Sequence, residues 1–375
     1  MKILYTIDCG LNAGGAPRST SILLDEMAKE HEIFVLMPKT EEAGNPCVHY
    51  IKLEAYEKSF PFFFTHPFKA IRLVIDVNRI VKSISPDIIH AQMPRGAWAL
   101  GLLKRLGQIN TPLIYTEREY VTGLRKIYQW IYAILVAKPF SLIICLSKKS
   151  IPFWLQYRNE GVVYIPNPGG KEFDVYLDTN YQDAINLIDD YNAESLNVLF
   201  VGRYLNTKRW DLVEKIIERY NEKNPSGMTH FYIAVAYDNN DREALDMVDR
   251  LVNQRNVTVY SNANVGLMSA LYYVCDMHLI TSSIESFGRT AIEAMSRKCV
   301  VYSTDAGAIS ETIGDKGLIL PASADCFINV IEEYEIDRAR LADLKNRLFE
   351  RYQSLYTTDA NYMANLKEYQ KIINK

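Results

Sequence analysis

Thr281-Ser282-Ser283-Ile284-Glu285-Ser286-Phe287-Gly288-Arg289-Thr290-Ala291-Ile292-Glu293-Ala294-Met295 joins an apolar run, Met277–Thr281, to a helical pattern through a short polar loop. The run is too short for a helix and reads as a buried strand, whereas Arg289–Ser296 carries apolar residues on most sides. A strand, a glycine-containing loop and a helix in that order make half of a βαβ unit. The same alternation extends outward in both directions. Toward the C-terminus it predicts strands at Val300–Ser303 and Gly317–Leu320 and a helix at Ala308–Ile313. Toward the N-terminus it predicts strands at Asn197–Val201, His230–Ala234 and Val257–Tyr260, with helices at Asp211–Tyr220, Asp241–Gln254 and Val265–Cys275.

A second, earlier series has strands at Lys2–Ile7, Glu32–Met37, Ile88–Ala91, Leu113–Thr116, Leu142–Leu146 and Val162–Ile165. Its helices fall at Ser19–Lys29, Pro67–Lys82, Gly96–Gly107 and Leu124–Ala137. The chain of 375 residues therefore divides into an α/β pair of doubly wound, Rossmann-like domains. The expected boundaries are 1–168 for the first domain, 169–196 for a polar linker, 197–345 for the second domain and 346–375 for a helical tail. Two such domains facing each other make a cleft, and open α/β sheets bind ligands at the carboxyl ends of their strands.

Composition is that of an ordinary globular protein, with 48% hydrophobic and 23% charged residues. The six cysteines are scattered without metal-ligand spacing, which favours a reducing compartment over a disulfide framework. Strand-like sequence starts at Lys2, so no secretory leader is expected. Ile127–Leu146 is the most apolar stretch, but Lys138-Pro139 interrupts it, so a helix and a buried strand explain it better than a membrane span. The net charge of −3 hides an uneven distribution: Lys58–Lys138 holds twelve Lys and Arg against four Asp and Glu. The same stretch contains Phe60-Pro61-Phe62-Phe63-Phe64 and the helix-spaced Lys69, Arg72, Arg79 and Lys82. These residues fit either a surface for anionic membrane or phosphate, or a plain core with a solvated face. Nothing points to nucleic acid.

Three places carry recognisable chemistry. The first strand runs into Gly10-Leu11-Asn12-Ala13-Gly14-Gly15-Ala16-Pro17, where glycines let backbone amides approach an anion ahead of a helix dipole. The spacing misses GxGxxG, and no GxxxxGK[ST] occurs, so a dinucleotide fingerprint and a P-loop are both absent. Val201-Gly202-Arg203 is followed by Lys208, a fork and a point charge able to clamp a diphosphate, against a plain pair of solvated surface cations. Glu285 and Glu293 lie about two helical turns apart and can both face a cleft, each able to accept two sugar hydroxyls. A glutamate inside so apolar a helix is usually paired or functional. His31, His49, His66, His230 and His278 form no ligand pattern and no DxD occurs, so no metal and no cofactor are expected.

Glu285 to Glu293 resembles the E-x7-E signature of retaining glycosyltransferases with the GT-B fold, and the wider pattern resembles glycosyltransferase family 4. Gly14-Gly15-Ala16-Pro17-Arg18 is similar to the family's glycine loop, and Pro86-Asp87-Ile88-Ile89-His90-Ala91 to its PDxxHxH strand. Val163–Asn167 is similar to its VIPNG segment, Gly202-Arg203 with Lys208 to its GR…K pair, and Asp305–Glu311 to GGxxE. The resemblance implies a GT-B fold and transfer of a hexose-type sugar, with retention, from a nucleotide-sugar donor, a UDP-sugar favoured. The acceptor expected on this resemblance is a glycan or lipid-linked intermediate of surface polysaccharide, met in the cytoplasm or, as the basic N-terminal half suggests, at the inner membrane face.

It also implies roles. Arg203 and Lys208 would hold the donor diphosphate, Glu285 the donor sugar and Glu293 the ribose, with amides from Ser286, Phe287 and Gly288. Gly14 and Gly15 would close over the phosphates from the other domain. The sequence departs from the pattern at three places: Gln92 replaces the second histidine of HxH, Asn167-Pro168 replaces NG, and Glu117-Arg118-Glu119 stands where a histidine is common. On the acceptor side this leaves His90, a phosphate-binding Arg118, and Glu117 or Glu119 assisting proton transfer, against simple carboxylate–arginine pairing. The rivals are another GT-B enzyme, such as a sugar-phosphate synthase or epimerase, and a non-catalytic scaffolding subunit of a transferase complex.

Overall fold

The protein is described by a computed structural model covering residues 1–11, 15–56, 66–119, 121–177 and 179–374. Gly14, Lys58 and the aromatic run Phe60–Phe64 lie outside the described residues. The chain forms two compact units, Met1–Pro168 with Thr358–Lys375, and Gly169–Thr357.

The first unit holds a seven-stranded, all-parallel sheet in the order β3-β2-β1-β4-β5-β6-β7. The strands are β1 (Lys2–Thr6), β2 (Glu32–Pro38), β3 (Val48–Leu53), β4 (Ile88–Ala91), β5 (Leu113–Glu117), β6 (Leu142–Cys145) and β7 (Val162–Tyr164). Between them lie α1 (Gly15–Met27), α2 (Pro67–Ile84), α3 (Pro94–Arg105), α4 (Lys126–Tyr132) and α5 (Ile151–Leu155), with a π-turn at Ala133–Ala137. Central strands such as β4 and β5 are buried throughout, because crossover helices cover both faces of a parallel sheet. One apolar cluster centres on Leu73, Trp98, Tyr115, Tyr132 and Trp154, and another on Ile3, Tyr5, Leu24, Ile33 and Tyr369. Asp8, just past β1, caps α3 from a distance in sequence: its carboxylate accepts from the Arg95 and Gly96 amides at 2.8 and 3.4 Å.

The second unit repeats the plan with a six-stranded parallel sheet, β10-β9-β8-β11-β12-β13. Its strands are β8 (Leu196–Arg203), β9 (Thr229–Ala236), β10 (Val257–Ser261), β11 (Met277–Ile280), β12 (Val300–Thr304) and β13 (Ile319–Leu320). Its helices are α6 (Lys171–Asp174), α7 (Thr179–Ile185), α8 (Trp210–Lys223), α9 (Arg242–Val252), α10 (Val265–Val274), α11 (Arg289–Ser296), α12 (Ile309–Ile313), α13 (Ala324–Ile336) and α14 (Leu341–Leu355). In both sheets the order reverses beside the first strand, so each unit has a switch point: β1/β4 in one and β8/β11 in the other.

One strand lies outside those expected from sequence: Val48–Leu53 pairs with β2 as an edge strand, its polar His49 and Lys52 interrupting the apolar run that marks the other strands. Two expected boundaries need correction. Residues 169–196 are not a linker but part of the second unit. Arg297 fixes them by donating to the carbonyls of Phe173 and Val175 at 3.1 and 3.0 Å, and Phe173 is fully packed. Residues 346–375 divide: α14 stays with the second unit, whereas the last helix, α15 (Thr358–Ile373), belongs to the first. There Asn361 Nδ2 donates to the Pro166 carbonyl at 2.6 Å and the Tyr369 hydroxyl meets that of Tyr5 at 2.9 Å.

Candidate functional site

At the switch point of the second unit, the loops leaving β8 and β11 are tied to one another. The Trp210 indole donates to the Arg203 carbonyl at 2.9 Å, closing the β8 loop on itself. Thr281 Oγ1 donates to the Lys208 carbonyl and the Ser283 amide to the Thr207 carbonyl, both at 2.8 Å, joining that loop to the one after β11. Across this join Lys208 Nζ meets Glu285 Oε2 at 2.6 Å, with both side chains mostly shielded from water. A pair so shielded feels a lower dielectric than a surface pair and is held more firmly. Gly202 lies under the lysine stem: a Cβ there would stand 3.3 Å from Lys208 Cγ. Arg203, the last residue of β8, is exposed, and among the described residues no hydrogen bond or ion pair engages its guanidinium.

The backbone of the β11 loop is fixed from behind. The Ala308 amide donates to the Glu285 carbonyl at 3.0 Å, and Thr312 Oγ1 to the Phe287 carbonyl at 2.5 Å. Gly307 sits at φ +60°, and a Cβ there would lie 2.4 Å from the Glu285 carbonyl oxygen, so only glycine permits this approach. Gly288 takes φ +89° and starts α11, with its Cβ position filled by Ile309. Phe287 is buried edge-on to Tyr356, and Ser286 is exposed. The helix therefore starts at Arg289, with the positive end of its dipole at the 286–288 turn. Glu293 lies one turn in and is buried: Arg289 Nε donates to Oε1 at 2.9 Å and the Tyr272 hydroxyl to Oε2 at 3.4 Å. Thus Lys208 and Glu285 meet, while Glu293 arrives already held.

Gly307 lies in the stretch similar to GGxxE, whereas sequence reasoning missed the supports Thr281, Ser283, Thr312, Tyr272 and Arg289. Only the last leaves a local signal, since Arg289 and Glu293 have the (i, i+4) spacing of a helical ion pair.

In the first unit the residues read as acceptor-side separate by strand parity. His90 is fully buried, with Nδ1 2.5 Å from the Tyr369 hydroxyl and Nε2 2.7 Å from Thr116 Oγ1. Burial, and secondarily the Arg118 charge, hold its imidazole neutral by pushing the pKa well below the usual histidine range. Glu117 corrects the proton-transfer expectation. It faces the opposite side of the sheet, accepting from the Trp154 indole at 2.7 Å and the Val121 amide at 3.3 Å, and burial raises its pKa. Glu119 accepts from the Tyr132 hydroxyl at 2.9 Å. Arg118 donates to Gln92 Oε1 through Nε and Nη2 at 2.9 and 2.6 Å, and to Asn167 Oδ1 through Nη1 at 2.8 Å. The three departures from the family pattern are therefore one interlocked network. Gly15 is the first residue of α1 and its carbonyl accepts from Ser19 Oγ at 3.0 Å; Gly14 lies outside the described residues. Among the described residues no three His, Cys, Asp or Glu side chains gather as metal ligands would.

Comparison with known proteins matches residues 188–351 to the family of glycosyl transferases group 1 and residues 13–168 to glycosyltransferase family 4. No curated protein matches the chain. Among solved structures, a sucrose-phosphate synthase from Thermosynechococcus elongatus is similar at 16% identity and TM-score 0.78, with 100% of each chain covered. A glycosyltransferase from Rickettsia africae ESF-5 is similar at 16% identity and TM-score 0.77, with 99% of this chain and 98% of the other covered. Anabaena HepE, solved in complex with UDP and glucose, is similar at 14% identity and TM-score 0.74, with 99% and 100% covered.

Proposed function

Because the chain belongs to the family-4-like glycosyltransferases of the GT-B fold, we propose that it moves a hexose-type sugar from a nucleoside diphosphate to a glycan or lipid-linked acceptor with retained configuration. The observation that carries this reading is the Lys208–Glu285 contact at 2.6 Å, built across the β8/β11 switch point where an open α/β sheet binds its ligand.

In this reading Arg203, exposed at the end of β8, and Lys208 receive the donor diphosphate. As the bond from the anomeric carbon to the β-phosphate oxygen breaks, negative charge collects on that oxygen. Two cations there, Lys208 held in place by Glu285, stabilise the transition state more than the ground state. Glu285 aims the Lys208 ammonium and offers its remaining oxygen to a sugar hydroxyl. The acceptor oxygen bonds to the anomeric carbon from the face the phosphate leaves, and its proton passes to the departing phosphate oxygen. No carboxylate nucleophile is required, which distinguishes the route from retaining glycosidases. Glu293, held by Arg289 and Tyr272, presents a preset carboxylate to the ribose. The UDP and glucose of the Anabaena neighbour make UDP-glucose the first donor to try. Surface polysaccharide synthesis, in the cytoplasm and without a required metal, fits these residues.

The test supplies UDP-, GDP- and ADP-glucose with candidate acceptors in the presence of a chelator, and follows nucleoside diphosphate release and the anomeric proton coupling of the product. Turnover of one donor with retained coupling, reduced about a hundredfold or more in Glu285→Gln, is the expected result. An inverted product overturns the retaining route. No turnover by the wild type, together with unimpaired stimulation of a partner transferase by Glu285→Gln, would establish the scaffolding reading instead.

A further inference from the structure

The outer face of α2 (Pro67–Ile84) departs from the pattern of an ordinary solvated helix. At 100° per residue, its buried positions Ala70, Leu73, Val77 and Val81 fall within an arc of about 80° turned to the core. On the opposite side, within an arc of about 100°, lie Phe68, Ile71, Ile75, Arg72, Arg79 and Lys82. The three apolar side chains are strongly exposed, at 86%, 58% and 53%. Arg72 and Arg79 are exposed at 72% and 76%, and both reach Asp76, at 3.6 and 3.7 Å. That aspartate is the only acidic residue in the helix, against Lys69, Arg72, Arg79 and Lys82, and its side chain is mostly shielded from water.

The geometry points to the surface of an anionic phospholipid bilayer as the partner of this face. A solvated helix gains nothing from exposing Phe68, Ile71 and Ile75 together, and isolated apolar residues do not line up on one stripe. A protein-binding core is depleted of charge, whereas here apolar and cationic side chains interleave. Interleaving is what an interfacial helix requires. Apolar groups enter the boundary between headgroups and acyl chains while arginine and lysine stems lie along it and keep their charges at the phosphates. A helix of 18 residues lying flat covers about 27 Å of membrane surface. No described helix is long and apolar enough to cross a bilayer, so this contact lies on the membrane. The inference stands on α2 alone and does not depend on the transfer reaction.

The test is co-sedimentation of the full chain with phosphatidylcholine vesicles, with and without phosphatidylglycerol, at low and high salt. Every substituted side chain is exposed, so folding is preserved and is checked by an unchanged unfolding midpoint. The wild type is expected to bind only the anionic vesicles, and less so at high salt. Arg79→Gln and Lys82→Gln each lower partitioning about fivefold. The combined Phe68→Ser, Ile71→Ser and Ile75→Ser variant lowers it about a hundredfold, because three side chains lose buried apolar area. Equal binding to both vesicle types overturns the proposal, as does indifference to both sets of variants. A dimer seen by sedimentation velocity and abolished by the triple serine variant also overturns it, since the face would then be covered by a second copy.

Discussion

Gly307→Ala places a methyl group where the backbone allows none. The residue holds φ +60°, which costs an L-residue about 1–2 kcal/mol. The new Cβ would also stand 2.4 Å from the Glu285 carbonyl oxygen, a backbone atom that cannot rotate away. Relief requires the β11 loop to move by roughly 0.6 Å or more, which breaks the 3.0 Å hydrogen bond from the Ala308 amide at a further cost of about 1 kcal/mol. The sum is a loss of about 2–3 kcal/mol. The movement carries Glu285 with it and slackens its contact with Lys208, so kcat/KM should fall by about tenfold to a hundredfold. Gly107→Ala is the matched control: its φ is +65°, yet nothing lies within 4 Å of its Cβ position. It pays the backbone strain alone and leaves turnover intact. Urea unfolding and steady-state kinetics on both variants separate strain from collision. A Gly307→Ala protein no less stable than Gly107→Ala, with normal kcat/KM, would refute the claim that this approach positions Glu285.

Tyr369→Phe removes the partner of both Tyr5 and buried His90 Nδ1, so urea unfolding should show a loss of about 2 kcal/mol with transfer kinetics little changed. Glu117→Gln should leave acceptor kcat/KM within about twofold, because the side chain faces Trp154 and the core; a hundredfold loss would restore it to the chemistry. Stability should fall on acidification. Burial lowers the His278 pKa to about 4 while its Nδ1 donates to the Leu199 carbonyl at 3.0 Å. The unfolded chain therefore binds the extra proton first, and stability present above the ordinary histidine range near 6.5 drains away as pH falls toward 4. His278→Gln should flatten that part of the pH–stability curve.

The parallel architecture was legible because each buried strand is an apolar run bounded by turn residues, as in Met277–Thr281 before the glycine turn. Lys208 and Glu285 were legible as chemistry, since a cation and a carboxylate follow the two strands that flank the switch point. Their contact was not, because 77 residues separate them and only the sheet order makes them neighbours. Glu117 and Arg118 show the limit of motif reading: adjacent strand-end residues face opposite sides, so one enters the core and the other joins Gln92 and Asn167. The return of α15 to the first unit was hidden for a related reason. Its buried Asn361 and Tyr369 look polar in sequence, and their partners Pro166, Tyr5 and His90 are supplied by distant strand ends. The 169–196 segment read as a linker because its polar composition outweighs the few apolar anchors Phe173, Ala184 and Ile188 and gives no sign of Arg297.

The central claim is that the β8/β11 switch point holds a nucleoside diphosphate between Arg203, Lys208 and Glu285. Thermal unfolding with UDP, GDP, ADP and NAD, each with chelator present, tests it most directly. A ligand that binds only the folded state at about a hundred times its dissociation constant adds about 2.7 kcal/mol. The account predicts that one nucleoside diphosphate, UDP first, raises the midpoint, and that Arg203→Ala and Lys208→Ala each abolish the rise. Stabilisation by NAD alone, or by a nucleoside diphosphate in wild type and both variants equally, would contradict it.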